Sequence, residues 1–431
     1  MGNASSAVIN KKDPNRWIML GFICLYYFVI LGFTNQSFNI FLRTISTDLG
    51  WDAVQRAAVV TAMSSGMIWF VFIAGILMDK FSVKKVYGSA IVFAGVLILL
   101  RSRTPAGAAE SATFFFAVMF LFGVASAFYM PASTKVIGIW FDHSELAFAN
   151  GCLTAASPLG QFTANLFAAK LMAAAGGWRL LYNFIGIGIV FIVIMFFLFG
   201  KERKSSEAAL DSKILGEADL GLWKNIKGII KVPYVWIFII ANMCFLGGIY
   251  GGGAYSQYIV QSDPGWGIDV SVSGRIPAFN NFASMIAYVL VPLIIRKIGN
   301  KYYTRVSIIC GFIAAAAFVF GYLSYSFAIL CTCMAIAGVC YGAIVPAPKV
   351  LMLQLPEVSG SRAGTAMGVY VTVERLGITL FVSVMGALLA LKAIPGGQML
   401  GIFYSIQFIS PVMLIIGSVI LKKKKKAAAA V

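Results

Sequence analysis

Residues 201–231 read KERKSSEAALDSKILGEADLGLWKNIKGIIK, the only long polar interruption in a 431-residue chain that is 60% hydrophobic and 12% charged. On either side lie apolar stretches long enough to matter, because an α-helix needs about 20 residues to cross roughly 30 Å of hydrocarbon. Six precede the interruption, at 17–41, 55–78, 86–104, 111–138, 148–173 and 179–200. Six follow it, at 233–259, 272–295, 303–324, 326–348, 363–391 and 398–421. With a mean hydropathy of +0.87, no water-soluble globule could hide this much apolar surface. The sequence therefore predicts an all-α membrane protein with twelve transmembrane helices in two six-helix pseudo-repeats. The expected division is an N-terminal bundle over 1–200, a cytoplasmic linker over 201–231, and a C-terminal bundle with a basic tail over 232–431.

The halves echo one another. Gly123-Val124 is followed eight residues on by Pro131, and Gly338-Val339 by Pro346 at the same spacing, with Lys135 and Lys349 just beyond. Gly151 and Gly160 in the fifth stretch match Gly368 and Gly377 in the eleventh, which aligns SPLG (157–160) with ERLG (374–377). Parallel six-helix repeats are a transporter signature, with the substrate site near the midplane between the halves.

Basic residues stay on the cytoplasmic side during insertion. With the N-terminus inside, 25 of the 34 Lys and Arg fall on that side, including the linker cluster and the tail LKKKKK. Both termini are thus expected in the cytoplasm of a multi-pass protein. Short loops suit a bacterial inner membrane. The net charge of +18 is spread over many loops with no basic stripe and interleaved aromatics, so no nucleic-acid partner is expected. The run Lys422–Lys426 is suited to anionic lipid headgroups.

The segment YVTVERLGITLF (370–381) sets Glu374 and Arg375 side by side in the middle of an apolar stretch. An ionised side chain at the bilayer centre costs about 2.5–3.5 kcal/mol on insertion scales, so each needs protein or water around it and a partner. Neighbours on a helix point about 100° apart, so the two cannot simply stack. The Arg375 face also carries Gly364, Gly368, Thr372, Thr379 and Gly386, a small, polar surface that suits a close helix contact or a wet cavity. A guanidinium can grip a carboxylate with two prongs and stays charged at any accessible pH. Arg375 is therefore a candidate for holding an anionic substrate, and Glu374 for proton coupling; the alternative is a structural network with neighbouring helices.

Other patterns carry less. MGNASS fits a myristoylation template, but a chain with twelve spans needs no lipid anchor. The seven cysteines lie within predicted helices without metal-ligand spacing, and His143 is the lone histidine. No metal, cofactor, phosphate-cradling loop or nucleophile constellation is expected, which argues against an enzyme.

At the junction of the second and third stretches stands GILMDKFSVKK (75–85). It resembles the signature loop of the major facilitator superfamily, with Gly75, Asp79, Lys80, Lys84 and Lys85 in place and Ser82 where the family usually has Gly. WFDHSELAFANG (140–151) and GGWRLLYNFIG (176–186) are similar to further family segments, and PLIIRKIGNK (292–301) keeps the loop spacing with Arg296 at the Asp position. The resemblance implies that these five loop residues control gating, with Asp79 capping the start of the eleventh helix at Ser361–Thr365. It also implies a cavity lined by the first, fourth, seventh and tenth helices, whose candidates are Asn35, Gln36, Asn39, Tyr129, Tyr250, Tyr255, Gln257 and Tyr341. Around the eleventh helix the chain resembles the oxalate:formate antiporter and monocarboxylate porter group, in which a basic residue in that helix serves the carboxylate. Those families also tend to carry an Arg in the eighth helix, where Tyr288 stands here. One cation favours a monoanion. The expected function is transport of a small organic anion, a monocarboxylate, coupled to a proton or exchanged for a counter-anion, by a monomer. A carrier of another cargo, such as a sugar or a drug, is the alternative.

Overall fold

The computed structural model describes residues 14–80, 83–141, 143–200, 227–298, 302–355, 358, 363–391 and 394–429. Twelve long helices dominate them, and no strand is present among the described residues. The first six are α1 (Asn15–Asp48), α2 (Ala53–Lys80), α3 (Val83–Ser102), α4 (Ala108–Trp140), α5 (His143–Ala175) and α6 (Trp178–Phe199). The second six are α7 (Pro233–Ser262), α8 (Arg275–Ile298), α9 (Tyr303–Leu323), α10 (Phe327–Met352), α11 (Ala363–Leu391) and α12, which begins at Gly396–Tyr404 and resumes over Ile409–Ala429. Among the described residues nine helices are long and apolar enough to cross a membrane. The linker 201–226 lies outside the described residues.

Local chemistry sets the ends. Asp52 and Gln55 cap the start of α2 reciprocally, each side chain accepting the other's backbone N–H at 2.8 and 3.0 Å. The α5–α6 turn uses Gly176 and Gly177 at φ of 83° and 133°, a backbone region that L side chains rarely adopt. Inside α1, Tyr27–Thr34 widens into a π-helical stretch, with the Thr34 hydroxyl donating to the Val29 carbonyl five residues back at 2.8 Å. Such a widened turn shifts the register of everything after it, here Asn35, Gln36 and Asn39. The break in α10 falls at Val345-Pro346, between Phe327–Ile344 and Ala347–Met352, because proline cannot donate to the helix ladder.

Packing repeats with an offset of six. In the first half α1 packs on α5, α2 on α4, and α3 on α4 and α6; in the second α7 packs on α11, α8 on α10, and α9 on α10 and α12. Four of the echoing glycines, Gly123, Gly160, Gly338 and Gly377, sit at these crossings. A Cβ at Gly123 would strike the Met63 carbonyl of α2, and one at Gly338 would strike the Asn280 carbonyl of α8. Likewise Gly160 abuts the Phe28 carbonyl of α1, while Gly377 abuts the Met243 side chain of α7. Each glycine removes the side chain that would hold two backbones apart. The halves meet through α2 with α11, α5 with α8, and α1 with α7. Exposed apolar side chains such as Phe184, Ile187 and Phe191 on α6 and Ile309 and Phe320 on α9 form an outer surface suited to lipid.

The run GGIYGGGAYSQY in α7 predicts a glycine-rich helix able to bend. In the structure α7 is unbroken, and Gly247, Gly248, Gly251 and Gly252 instead receive Phe381, Gln407, Phe403 and Tyr404. The glycines here act as packing surface.

Candidate functional site

A cavity of about 240 Å³ lies between the halves. From the first half Asn35, Gln36 and Asn39 of α1, Ser64 of α2 and Gln161 of α5 face it; from the second come Tyr250 of α7, Asn280 and Asn281 of α8, and Tyr341 of α10. Among the described residues, none of the lining side chains is charged. Gln36 is held by Asn165, donating to its Oδ1 at 2.8 Å, and Asn280 donates to the Met334 carbonyl at 3.0 Å.

The charged pair sits beside this cavity. Ile378 and Val382 line it from α11, and both share a helix face with Arg375 one and two turns away. The Arg375 Nε is 3.7 Å from Glu374 Oε1 and has no hydrogen-bond partner. Glu374 turns into its own half and accepts a hydrogen bond from Asn242 Nδ2 of α7 at 2.7 Å. Arg375 acts electrostatically on Tyr27 of α1 across the gap between the halves and on Tyr250 of α7, which also feels Glu374. Tyr250 thus belongs to both the cavity wall and the surroundings of the pair.

The cavity is sealed at the end remote from the chain termini. Arg43 of α1 donates to the Gln261 carbonyl of α7, and Gln261 Nε2 donates back to the Ile40 carbonyl at 3.2 Å and to Ser273 at 2.9 Å. The Arg56 guanidinium of α2 lies 4.2 Å from the ring centroid of Tyr258 of α7. Beside it, Tyr255 is buried, close to where a Cβ at Gly386 would stand and near Ala57. On the Arg375 face of α11, Gly386 is buried towards this seal, whereas Thr372, nearer the termini, is exposed.

Of the sequence candidates, Asn35, Gln36, Asn39, Tyr250 and Tyr341 come together at the cavity. Tyr129 does not line it: it is buried within the first half, its hydroxyl 3.1 Å from Ser126 and its ring edge-on to Tyr26. Tyr255 belongs to the seal, Gln257 is buried and not among the lining residues, with both amide atoms without hydrogen-bond partners, and Tyr288 packs against the hydrophobic core. The side chains of Gly75, Asp79, Lys80 and Lys84, and the segment 359–362 that Asp79 was expected to approach, lie outside the described residues; Lys85 is exposed.

Sequence reading missed Asn242, Gln161, Asn280 and Asn281. Isolated amides in apolar helices were the available signal. It places Arg101, near the end of the stretch 86–104, on the outer side, with Arg375 as the one deep basic residue. The structure instead buries Arg101 fully at the end of α3, its three side-chain nitrogens without hydrogen-bond partners and its guanidinium 4.6 Å from the Phe122 ring centroid. No metal-binding cluster is present among the described residues.

Twelve helices, the six-helix offset in packing and a cavity between the halves define a two-bundle membrane protein. Residues 22–382 match the Major Facilitator Superfamily, and the chain belongs to that family. It is 22% identical over 249 residues to a chloroplastic ascorbate transporter of Arabidopsis thaliana, covering 56% of this chain and 45% of that protein. A probable galactarate/D-glucarate transporter, GudP of Escherichia coli (strain K12), is 24% identical over 198 residues, covering 44% and 42%. The chain spans less than half the length of these curated relatives. Among solved structures, the nucleoside transporter NupG superposes with a TM-score of 0.69 at 14% identity, covering 95% of this chain and 100% of that one. A bacterial homolog of the human lysosomal transporter Spinster, in an inward-facing, unoccupied conformation, gives 0.66 at 14% identity, covering 95% and 96%. These two similarities establish the fold alone.

Proposed function

We propose that this protein is a secondary transporter that moves a small organic anion across the membrane by alternating access. The observation that carries this reading is Arg375: a partly buried guanidinium whose Nε lies 3.7 Å from Glu374 yet makes no hydrogen bond, on the helix face that continues into a cavity between the halves with no charged side chain among the described lining residues. A cation in that position can grip a carboxylate bidentately and orient the rest of the solute into the cavity. The relatives named for ascorbate and for galactarate/D-glucarate support an anionic cargo. With one cation at the site, the cargo carries a single carboxylate.

Glu374 is the proposed proton site. It faces Asn242 and Tyr250 of α7, Tyr370 of its own helix and the neighbouring Arg375, so its charge state and the occupancy of Arg375 affect each other directly. The sealed end faces the exterior and both termini face the cytoplasm of a bacterial inner membrane, following the distribution of Lys and Arg. Asp79, Lys80, Lys84 and Lys85 form part of the opposite gate, and the carrier works as a monomer.

The test is uptake of labelled organic anions into proteoliposomes by the full chain and by Arg375→Gln, with and without an imposed pH gradient. Saturable uptake that disappears in the variant supports the reading. Uptake of sugars or lipophilic cations unaffected by the substitution refutes it.

A further inference from the structure

Arg375 accounts for one end of a solute. The cavity beyond it speaks to the other end. Six primary amides face this space, Asn35, Gln36, Asn39 and Gln161 from the first half and Asn280 and Asn281 from the second, together with tyrosine hydroxyls. The Tyr341 hydroxyl is buried beside the Asn280 amide. Such groups inside a membrane protein demand partners.

We infer that the cargo is a polyhydroxylated monocarboxylate, its carboxylate towards Arg375 and its hydroxyls among the cavity amides. This rests on the anion reading above and sharpens it. Each primary amide offers two donors and an acceptor, and each hydroxyl one donor and an acceptor, so a chain of hydroxyls can satisfy a ring of amides without any charge. Gln36, Gln161 and Asn280 each spend one donor on the protein, and an alkyl tail would displace water from the donors and acceptors that remain. A second carboxylate would enter a chamber that supplies it with no cation. At about 240 Å³ the cavity has room for a compact acid.

The amides come from both halves, which gives the hydroxyls a further role. A solute gripped by Asn35 and Asn39 on one side and Asn280 and Asn281 on the other bridges the bundles whose relative motion transports it. A short carboxylate reaching only Arg375 would bind one half and lack that bridge. Sites built to bond a substrate hydroxyl reject analogues lacking it far more strongly than apolar pockets reject a missing methylene.

The experiment uses the purified full chain and measures ligand-induced shifts in melting temperature and inhibition of uptake. The probes are gluconate, galactonate and mannonate; hexanoate, of equal chain length without hydroxyls; galactarate, with two carboxylates; and glucose, with none. At least one of the three hydroxy acids is expected to bind tenfold or more tightly than hexanoate and galactarate. Asn39→Ala and Asn281→Ala should each weaken that acid about tenfold and leave hexanoate unchanged, while Arg375→Gln weakens both acids. Unliganded melting curves identify a misfolded variant, in which case Asn39→Ser and Asn281→Ser replace it. Hexanoate binding as well as the hydroxy acids, with dependence on Arg375, overturns the inference and leaves the anion reading standing. Glucose binding that ignores Arg375, or binding by none of the acids, removes both.

Discussion

Asn242 of α7 donates a 2.7 Å hydrogen bond to the Glu374 carboxylate of α11, so the acid is tied to its own half, with the Arg375 Nε 3.7 Å from its other oxygen and without a hydrogen bond. Consecutive positions on a helix diverge by about 100°, and this divergence assigns the two charges different surroundings. Asn242→Leu strands one carboxylate oxygen. The expected outcome is a loss of about 1–3 kcal/mol in stability, read as a lower melting temperature, together with an altered pH dependence of uptake. An unchanged melting temperature and pH profile would mean that the bond contributes nothing to holding the acid.

Arg375 should be irreplaceable in a graded way. Charge-assisted hydrogen bonds contribute about 1.5–3 kcal/mol, so Arg375→Gln should reduce anion uptake efficiency by roughly 10- to 100-fold. Arg375→Lys keeps the charge without the two-pronged geometry and should fall between that variant and the parent. Transport assays at saturating and limiting substrate separate lost binding from lost turnover. Equal behaviour of all three proteins would make the guanidinium a structural element.

The seal joins the halves through Arg43 with Gln261 and Arg56 with Tyr258. Exposed cation–π contacts contribute about 0.5–1 kcal/mol, and a population near balance responds to losses of that size. The double variant Arg43→Ala with Arg56→Ala should expose the cavity from the sealed side. A cysteine placed at Asn39 should then react several-fold faster with a membrane-impermeant thiol reagent added on that side. No change in labelling would show that α2–α11 and α5–α8 packing holds the seal alone.

Gly123 and Gly338 occupy equivalent crossings, and an added methyl at either meets backbone, which cannot rotate away. Gly123→Ala and Gly338→Ala should each destabilise by about 1–3 kcal/mol, the usual cost of overpacking, with similar falls in melting temperature. Gly151 and Gly188 have open space where a Cβ would stand, so alanine there should leave the melting temperature unchanged. A large difference between the two paired variants would break the equivalence of the crossings.

The amino-acid sequence determined the membrane class, the twelve helices and their six-and-six repetition, because hydrocarbon imposes a length and an apolar composition that any linear reading detects. It also singled out Glu374 and Arg375, since charges in an apolar run are anomalous without reference to fold. Tertiary structure alone decided which polar residues meet. Asn280 and Asn281 converge with Asn35 and Asn39 because α8 and α1 come from different halves, whereas Tyr129, from a helix expected to line the cavity, turns into its own bundle. Arg101 stands near the outer end of an apolar stretch, and only the packing of α4 and α6 closes over it. Composition along one helix records what surrounds that helix on average. Which side chains face a shared cavity depends on the rotation of each helix about its axis, set here by glycine crossings and by the π-helical stretch in α1.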